Sequence, residues 1–160
     1  MKKKIGILVL MMFCFSFLFG AAVYEDKARA EAKKMVIDAV AYYKANGATA
    51  LKDFQENKDG KWMKGPLYIF MFDDKGVCTV HIANKALVGK NLIELKDRDG
   101  KFFMKEIVKT AKSQAGEGWV DYYWPNPDKT GKPIEPKSSF VVGVDGGKNV
   151  IAVGIYGVDK

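Results

Sequence analysis

Apolar residues recur every three or four positions between 24 and 46: Ala28, Ala32, Met35, Val36, Ala39, Val40 and Tyr43, with lysines and acids between them. This is the stripe of one long amphipathic helix, and Gly47 is a natural stop for it. A shorter helix over 49–57 buries Leu51 and Phe54 and ends at Lys58-Asp59-Gly60. Beyond Pro66 the period changes. The run LYIFMF over 67–72 is almost wholly apolar, as a buried strand requires, and the turn DDKG returns it as a second strand over 77–82. Residues 83–100 are polar and irregular, and 102–114 predicts a helix with Phe103, Ile107, Val108 and Ala111 inward. Further strands are predicted at 118–124, 139–144 and 149–156, the last two joined by the turn DGGK.

The first of these three strands lies in GWVDYYWPNP (118–127), which holds two of the three tryptophans and is ended by Pro125 and Pro127. Strand alternation puts Val120, Tyr122 and Trp124 on one face and Trp119, Asp121 and Tyr123 on the other. Aromatics on both faces suit a strand with core on one side and a small-molecule pocket, or a covering helix, on the other. The order of elements is two helices, hairpin, helix, strand, hairpin. It predicts an α+β domain: a long N-terminal helix plus a mixed antiparallel sheet of about five strands.

The first 22 residues read differently. Three lysines precede an uncharged apolar run that ends in Phe19-Gly20-Ala21-Ala22, the pattern of a secretory signal peptide cleaved after Ala22. The alternative is an uncleaved membrane anchor, since the run from 5 to 23 is just long enough to span a bilayer. Cys14 follows Met-Met-Phe rather than small residues, which argues against lipidation. The protein is therefore expected to be periplasmic or secreted, or else membrane-anchored by that segment, with the domain occupying 24–160. Loss of the three leader lysines lowers the formal charge from +7 to +4. That charge is spread thinly, without an arginine-rich helix or dense basic patch, which excludes nucleic acid as a partner and leaves a mild preference for anions. Cys78 is then the sole thiol, so no intramolecular disulfide forms.

Catalytic chemistry finds no support. His81 is the only histidine and has no metal-ligand spacing around it; no nucleophile elbow, haem motif or phosphate-binding glycine loop is present. Asp97-Arg98-Asp99-Gly100 is a fragment of a calcium loop without its distal glutamate and reads as a turn. Neither catalytic residue, metal nor cofactor is expected. A binding pocket fares better, because it needs apolar walls and a few placed polar groups. Tyr68 and Phe70 share a face of the first strand, His81 ends the second, Asn91 lies in the following loop, and Tyr122 or Tyr123 lies on the third. Lys137 enters the fourth strand, where its ammonium would pair with a carboxylate ligand.

With these segments in place the chain resembles the single Cache domain family, extracytoplasmic relatives of the PAS fold that sense small ligands for bacterial receptors. The resemblance runs over about 24–159. It is carried in order by Asn46-Gly47, LYIFMFDDKGVCTVH, GKN (89–91), DRDGKFFMKE (97–106), GWVDYYWPNP, PKSSFV (136–141) and GIYGVD (154–159). It implies a PAS-like fold, a receptor for short carboxylates such as acetate, propionate, lactate or pyruvate, and a pocket between the sheet and the loops over it. The matching site positions are Tyr68, Phe70, His81, Asn91, Tyr122, Trp124 and Lys137. Two positions depart from the family pattern: Ile82 replaces the usual proline after the histidine, and the usual aromatic near Ser139 is displaced to Phe140 or absent. The chain stops at Lys160, where receptors of the family continue into a second membrane helix, so it reads as a stand-alone exported Cache protein. Its expected partners are a small organic acid and a membrane receptor or kinase, with a homodimer through the N-terminal helix also open. The competing reading is a ligand-free interaction subunit that pairs with itself or a receptor through its surface or long helix; it expects an apolar core and Lys137 in solvent.

Overall fold

The computed structural model describes residues 5–157 except position 58, with side chains described from Val23 onward. The leader expected over 1–22 turns on side chains outside that set. The first helix, α1 (Ile5–Asn46), starts upstream of the expected position 24, and no glycine or proline between 21 and 46 interrupts it. Among the described residues no helix is long and apolar enough to cross a membrane. Helix α2 (Thr49–Glu56) ends at Asn57, whose left-handed backbone (φ 44°) turns its side chain to accept a hydrogen bond from Trp62 N at 2.8 Å. Trp62 packs edge-on to Phe54 with ring centroids 4.8 Å apart, locking α2 to the chain that follows.

The apolar run predicted as one strand over 67–72 divides at Ile69. β1 (Met63–Lys64) and β2 (Leu67–Tyr68) make a small ribbon, and β3 (Phe70–Asp73) then enters the main sheet. Ile69 is shared between the two: its N–H donates to Trp62 O at 3.0 Å, while its carbonyl accepts from Ile82 N at 3.4 Å. The remaining elements are β4 (Cys78–His81), α3 (Phe103–Ala111), β5 (Glu117–Pro125), β6 (Ile134–Val144) and β7 (Asn149–Tyr156). The five-stranded sheet has the order β4-β3-β7-β6-β5, and every pairing in it is antiparallel. Strand β6 begins at Ile134, upstream of the expected 139. Residues 134–138 are too polar to show as a strand by themselves; cross-strand pairing with the aromatic β5 extends them.

Alternation along the strands sends side chains to two cores. Ile151 and Val153 of β7 join Ile69, Met71 and Phe140 under α1, where Met35, Val36 and Ala39 meet them. Val150 and Ala152 of the same strand join Phe70, Phe72 and Val141 under α3, against Phe103 and Ile107. The sheet is thus the middle of three layers. The seating of α3 depends on one glycine. A Cβ at Gly143 would lie 2.2 Å from Ala111 O, the backbone end of α3, which has no flexible tip to move aside. Gly143→Ala is therefore expected to lower unfolding stability by about 1–3 kcal/mol, read from denaturant midpoints; an unchanged midpoint would show that α3 can lift without cost.

Candidate functional site

The α3 face of the sheet carries a polar group where the pattern calls for core. Lys137 sits inside β6, paired across to Tyr122 of β5 and Tyr156 of β7, and is 1% exposed. Its stem lies over Gly154 of β7. A Cβ at that position would stand 2.2 Å from Lys137 Cε and 2.4 Å from Ser139 Oγ, so the absence of a side chain there is what gives the lysine its channel. The Nζ ends among rings: 4.2 Å from the centroid of Tyr68, 4.8 Å from Phe70, 4.9 Å from Tyr156 and 6.0 Å from Tyr122.

One hydrogen-bond chain runs outward from it. Lys137 Nζ donates to Tyr68 Oη at 2.7 Å, Tyr68 and Tyr156 hydroxyls are 3.2 Å apart, and Tyr156 Oη donates to Pro125 O at 2.9 Å. Because the Tyr156 proton goes to Pro125, Tyr68 is the donor in the middle link. Tyr122 Oη exchanges a hydrogen bond with Ser139 Oγ at 2.9 Å, and its ring stacks on Phe103 of α3 with centroids 4.6 Å apart. Burial raises all three phenols above the ordinary tyrosine value, so they stay protonated.

His81 closes the other side. Gln55 of α2 clamps its backbone in both directions, accepting from His81 N at 2.9 Å and donating to His81 O at 3.3 Å. Its Nδ1 accepts from Asn84 N at 3.0 Å, which leaves the ring proton on Nε2. Burial, and then the neighbouring Lys137, press its pKa down to about 3, so the ring is a neutral hydrogen-bond donor at physiological pH. The ring lies among Tyr68, Phe70 and Trp124 at centroid distances of 5.1, 6.0 and 6.2 Å.

Burial also lowers the Lys137 pKa well below the lysine value, with no carboxylate among the described residues offsetting it. The closest carboxylate along the strand, Glu135, is engaged by Lys129 and by Asn126 Nδ2. The space enclosed by Phe70, Phe72, His81, Phe103, Met104, Tyr122, Trp124 and Lys137 is about 10 Å³, room for one water at most. The site is therefore too small for an organic acid as it stands, and Trp124 is its partly exposed wall beside the turn that follows Pro125.

Residues 22–159 match the family described as Single Cache domain 2. The chain belongs to the single Cache domain family. Over 109 residues this Cache domain is 36% identical to the sensor histidine kinase MctS of Rhizobium johnstonii, a match covering 68% of this chain and 21% of the kinase. The chain thus spans about a fifth of that relative. Among solved structures it is similar to a methyl-accepting chemotaxis protein of Vibrio parahaemolyticus, with a TM-score of 0.66 at 21% identity over 88% of this chain and 96% of the other. It is also similar to the periplasmic sensor domain of a chemotaxis protein, with a TM-score of 0.64 at 27% identity over 86% and 98%. A Cache chemosensory domain whose structure concerns carboxylic acid recognition gives a TM-score of 0.68 at 24% identity over 86% and 98%.

In this Cache domain, six of the seven expected site positions, Tyr68, Phe70, His81, Tyr122, Trp124 and Lys137, come together around one small space or its hydrogen-bond chain. Asn91 does not. It is exposed, its backbone forms a bridge to Val77, and its Oδ1 accepts from Ile93 N at 2.9 Å, so it holds its own turn. Tyr123 faces away and lies under the Arg98 guanidinium, 3.6 Å from the ring centroid. Trp119 is on the α1 face, covered by Arg29 at 4.5 Å. Asp97 accepts from Asp99 N, Lys101 N and Tyr123 N, as a structural turn does. Cys78 is buried and its thiol is pushed up to about 12 by burial, which makes it a poor nucleophile. Sequence reasoning missed Gly154 and Tyr156. A lone glycine within the apolar run NVIAVGIY was the available signal for a close approach; Tyr156 gave none beyond being the next tyrosine on the same face.

Proposed function

We propose that this Cache domain binds a small organic carboxylate outside the cytoplasm and presents the bound state to a membrane receptor or kinase. One observation carries the reading: Lys137 is a wholly buried lysine with no carboxylate of the described residues beside its amine. Removing an amine from water without a charged partner is unfavourable, and a ligand carboxylate supplies the missing partner. Around that anion, His81 Nε2–H offers a hydrogen bond, as does the Tyr122 phenol when Ser139 Oγ is the donor of their pair, and Tyr68 joins them by giving up its bond to Tyr156, while Phe70 and Trp124 form the apolar wall. The carboxylic-acid-recognising neighbour and the kinase relative support the same ligand class and the same mode of use. The competing interaction-subunit reading expects Lys137 in solvent, whereas the side chain is 1% exposed. Because the empty site is too small for even a short acid, binding must displace Trp124 or its neighbours and so couples occupancy to the β5–β6 turn.

A thermal-shift screen of the protein against acetate, propionate, lactate, pyruvate, amino acids and amines tests the proposal. At 100 times its dissociation constant a ligand adds about 2.7 kcal/mol, a rise of roughly 5–10 °C for a domain of this size. A short carboxylate is expected to give that rise and amines none. No shift with any carboxylate would remove the proposed ligand class.

A further inference from the structure

We propose that the anion enters this site together with a proton, so that Lys137 becomes an ammonium only when a ligand carboxylate lies beside it. The inference rests on the carboxylate reading above and concerns the regulation of that same site. Its basis is what surrounds the Nζ. From β2 and β7 the amine faces the phenols of Tyr68 and Tyr156, from β5 that of Tyr122, and from β4 the His81 imidazole. From β3 and α3 it faces only Phe70, Phe103 and Met104. None of these groups carries a negative charge: the phenols are held protonated by burial, and His81 is neutral. The space beside the amine holds at most one water, and Lys137 itself is 1% exposed. An ammonium in such an enclosure has ring faces and one hydroxyl as partners, while an uncharged amine still donates to Tyr68 Oη. The empty site therefore favours the amine, in keeping with the direction in which burial moves Lys137.

A carboxylate beside Nζ reverses the preference, since the ion pair is favoured in a site from which water is excluded. The balance is one carboxylate and one solvent proton taken up, with the amine converted to an ammonium. The phenols stay protonated, and His81, neutral in the empty site, is the one other group a bound carboxylate could charge, which the His81→Gln variant below separates from Lys137. Because the bound state holds one more proton than the empty state, affinity falls as pH rises. Such a receptor responds to the product of anion and proton concentrations rather than to the anion alone.

Calorimetric titration of the full chain with acetate and with propionate tests this, at about pH 7 and about pH 9 and in two buffers of different ionisation enthalpy. Net proton uptake on binding, of at most one proton per ligand, with a Kd that rises with pH by up to about tenfold per unit, is expected. Binding with a Kd unchanged over that range and an enthalpy independent of the buffer would overturn the inference while leaving the ligand class intact. Failure of every carboxylate to bind would overturn the carboxylate reading, and this inference with it. The variant His81→Gln keeps the lysine and is expected to keep the proton uptake; loss of uptake there would assign the proton to the imidazole and overturn the role of Lys137.

Discussion

Replacing Lys137 by methionine is expected to abolish carboxylate binding and, at the same time, to stabilise the empty protein. Methionine matches the lysine stem in length and fits the channel over Gly154, so the packing against Tyr68 and Phe70 is retained. What is lost is the charged partner of a buried anion, a change of about 2–5 kcal/mol in binding, or at least thirtyfold in Kd. What is gained is relief of a buried amine with a single hydroxyl partner, which corresponds to roughly 1–3 kcal/mol and a melting temperature higher by about 2–10 °C. The gain also depends on pH. The folded Lys137 releases its proton more readily than the unfolded one, whose value is the ordinary 10.5. Between those two values the unfolded chain binds more protons, so the wild-type protein is progressively destabilised as pH falls below about 10.5. The methionine variant lacks that dependence, and its advantage should widen as the pH is lowered from about 10.5 until the folded lysine itself takes up its proton. Melting curves across that range check the sign. An advantage that shrinks on lowering the pH would contradict burial as the cause.

The second large effect is expected at Gly154. A methyl group there meets Lys137 Cε at 2.2 Å and Ser139 Oγ at 2.4 Å, so the lysine must leave its channel or the strands must part. Overpacking of this kind lowers stability by about 1–3 kcal/mol. Moving Nζ away from Tyr68 removes its aim into the site, so carboxylate binding should fall by at least the thirtyfold expected of the methionine variant. The double variant Gly154→Ala with Lys137→Ala separates the causes. It is expected to regain stability relative to Gly154→Ala alone, because the clashing stem is gone, while remaining unable to bind. If the second substitution gives no stability back, the two side chains do not compete for one channel.

The residues that were legible from the sequence are those whose position follows from period. Alternation placed Tyr122 and Trp124 on one face and Trp119 on the other, and the structure keeps them so, with Phe103 beneath the first pair and Arg29 over the third. The long helix and the two hairpins followed from their apolar spacing and turn residues. Two kinds of information were not legible. The first is cross-strand register. Lys137 stands opposite Tyr122 and Tyr156 only because β6 starts at Ile134, in a stretch whose glutamate, proline and lysine conceal a strand. The second is the third dimension of a loop. Asn91 lies in sequence between site elements, yet its side chain closes a local turn, a use that costs it any view of the pocket. Gly154 combines both. Its glycine identity is visible, but that it vacates space for a lysine on the next strand follows only from the register.

Lys137 is the proposed anchor of the carboxylate. The most direct measurement is a crystal structure of the protein with the acid that gives the largest thermal shift. A carboxylate oxygen is expected within hydrogen-bond distance of Lys137 Nζ and of His81 Nε2, with Trp124 displaced from its present contact with Phe103. Ligand density elsewhere on the molecule, with Lys137 still donating to Tyr68 in an unchanged site, would contradict it.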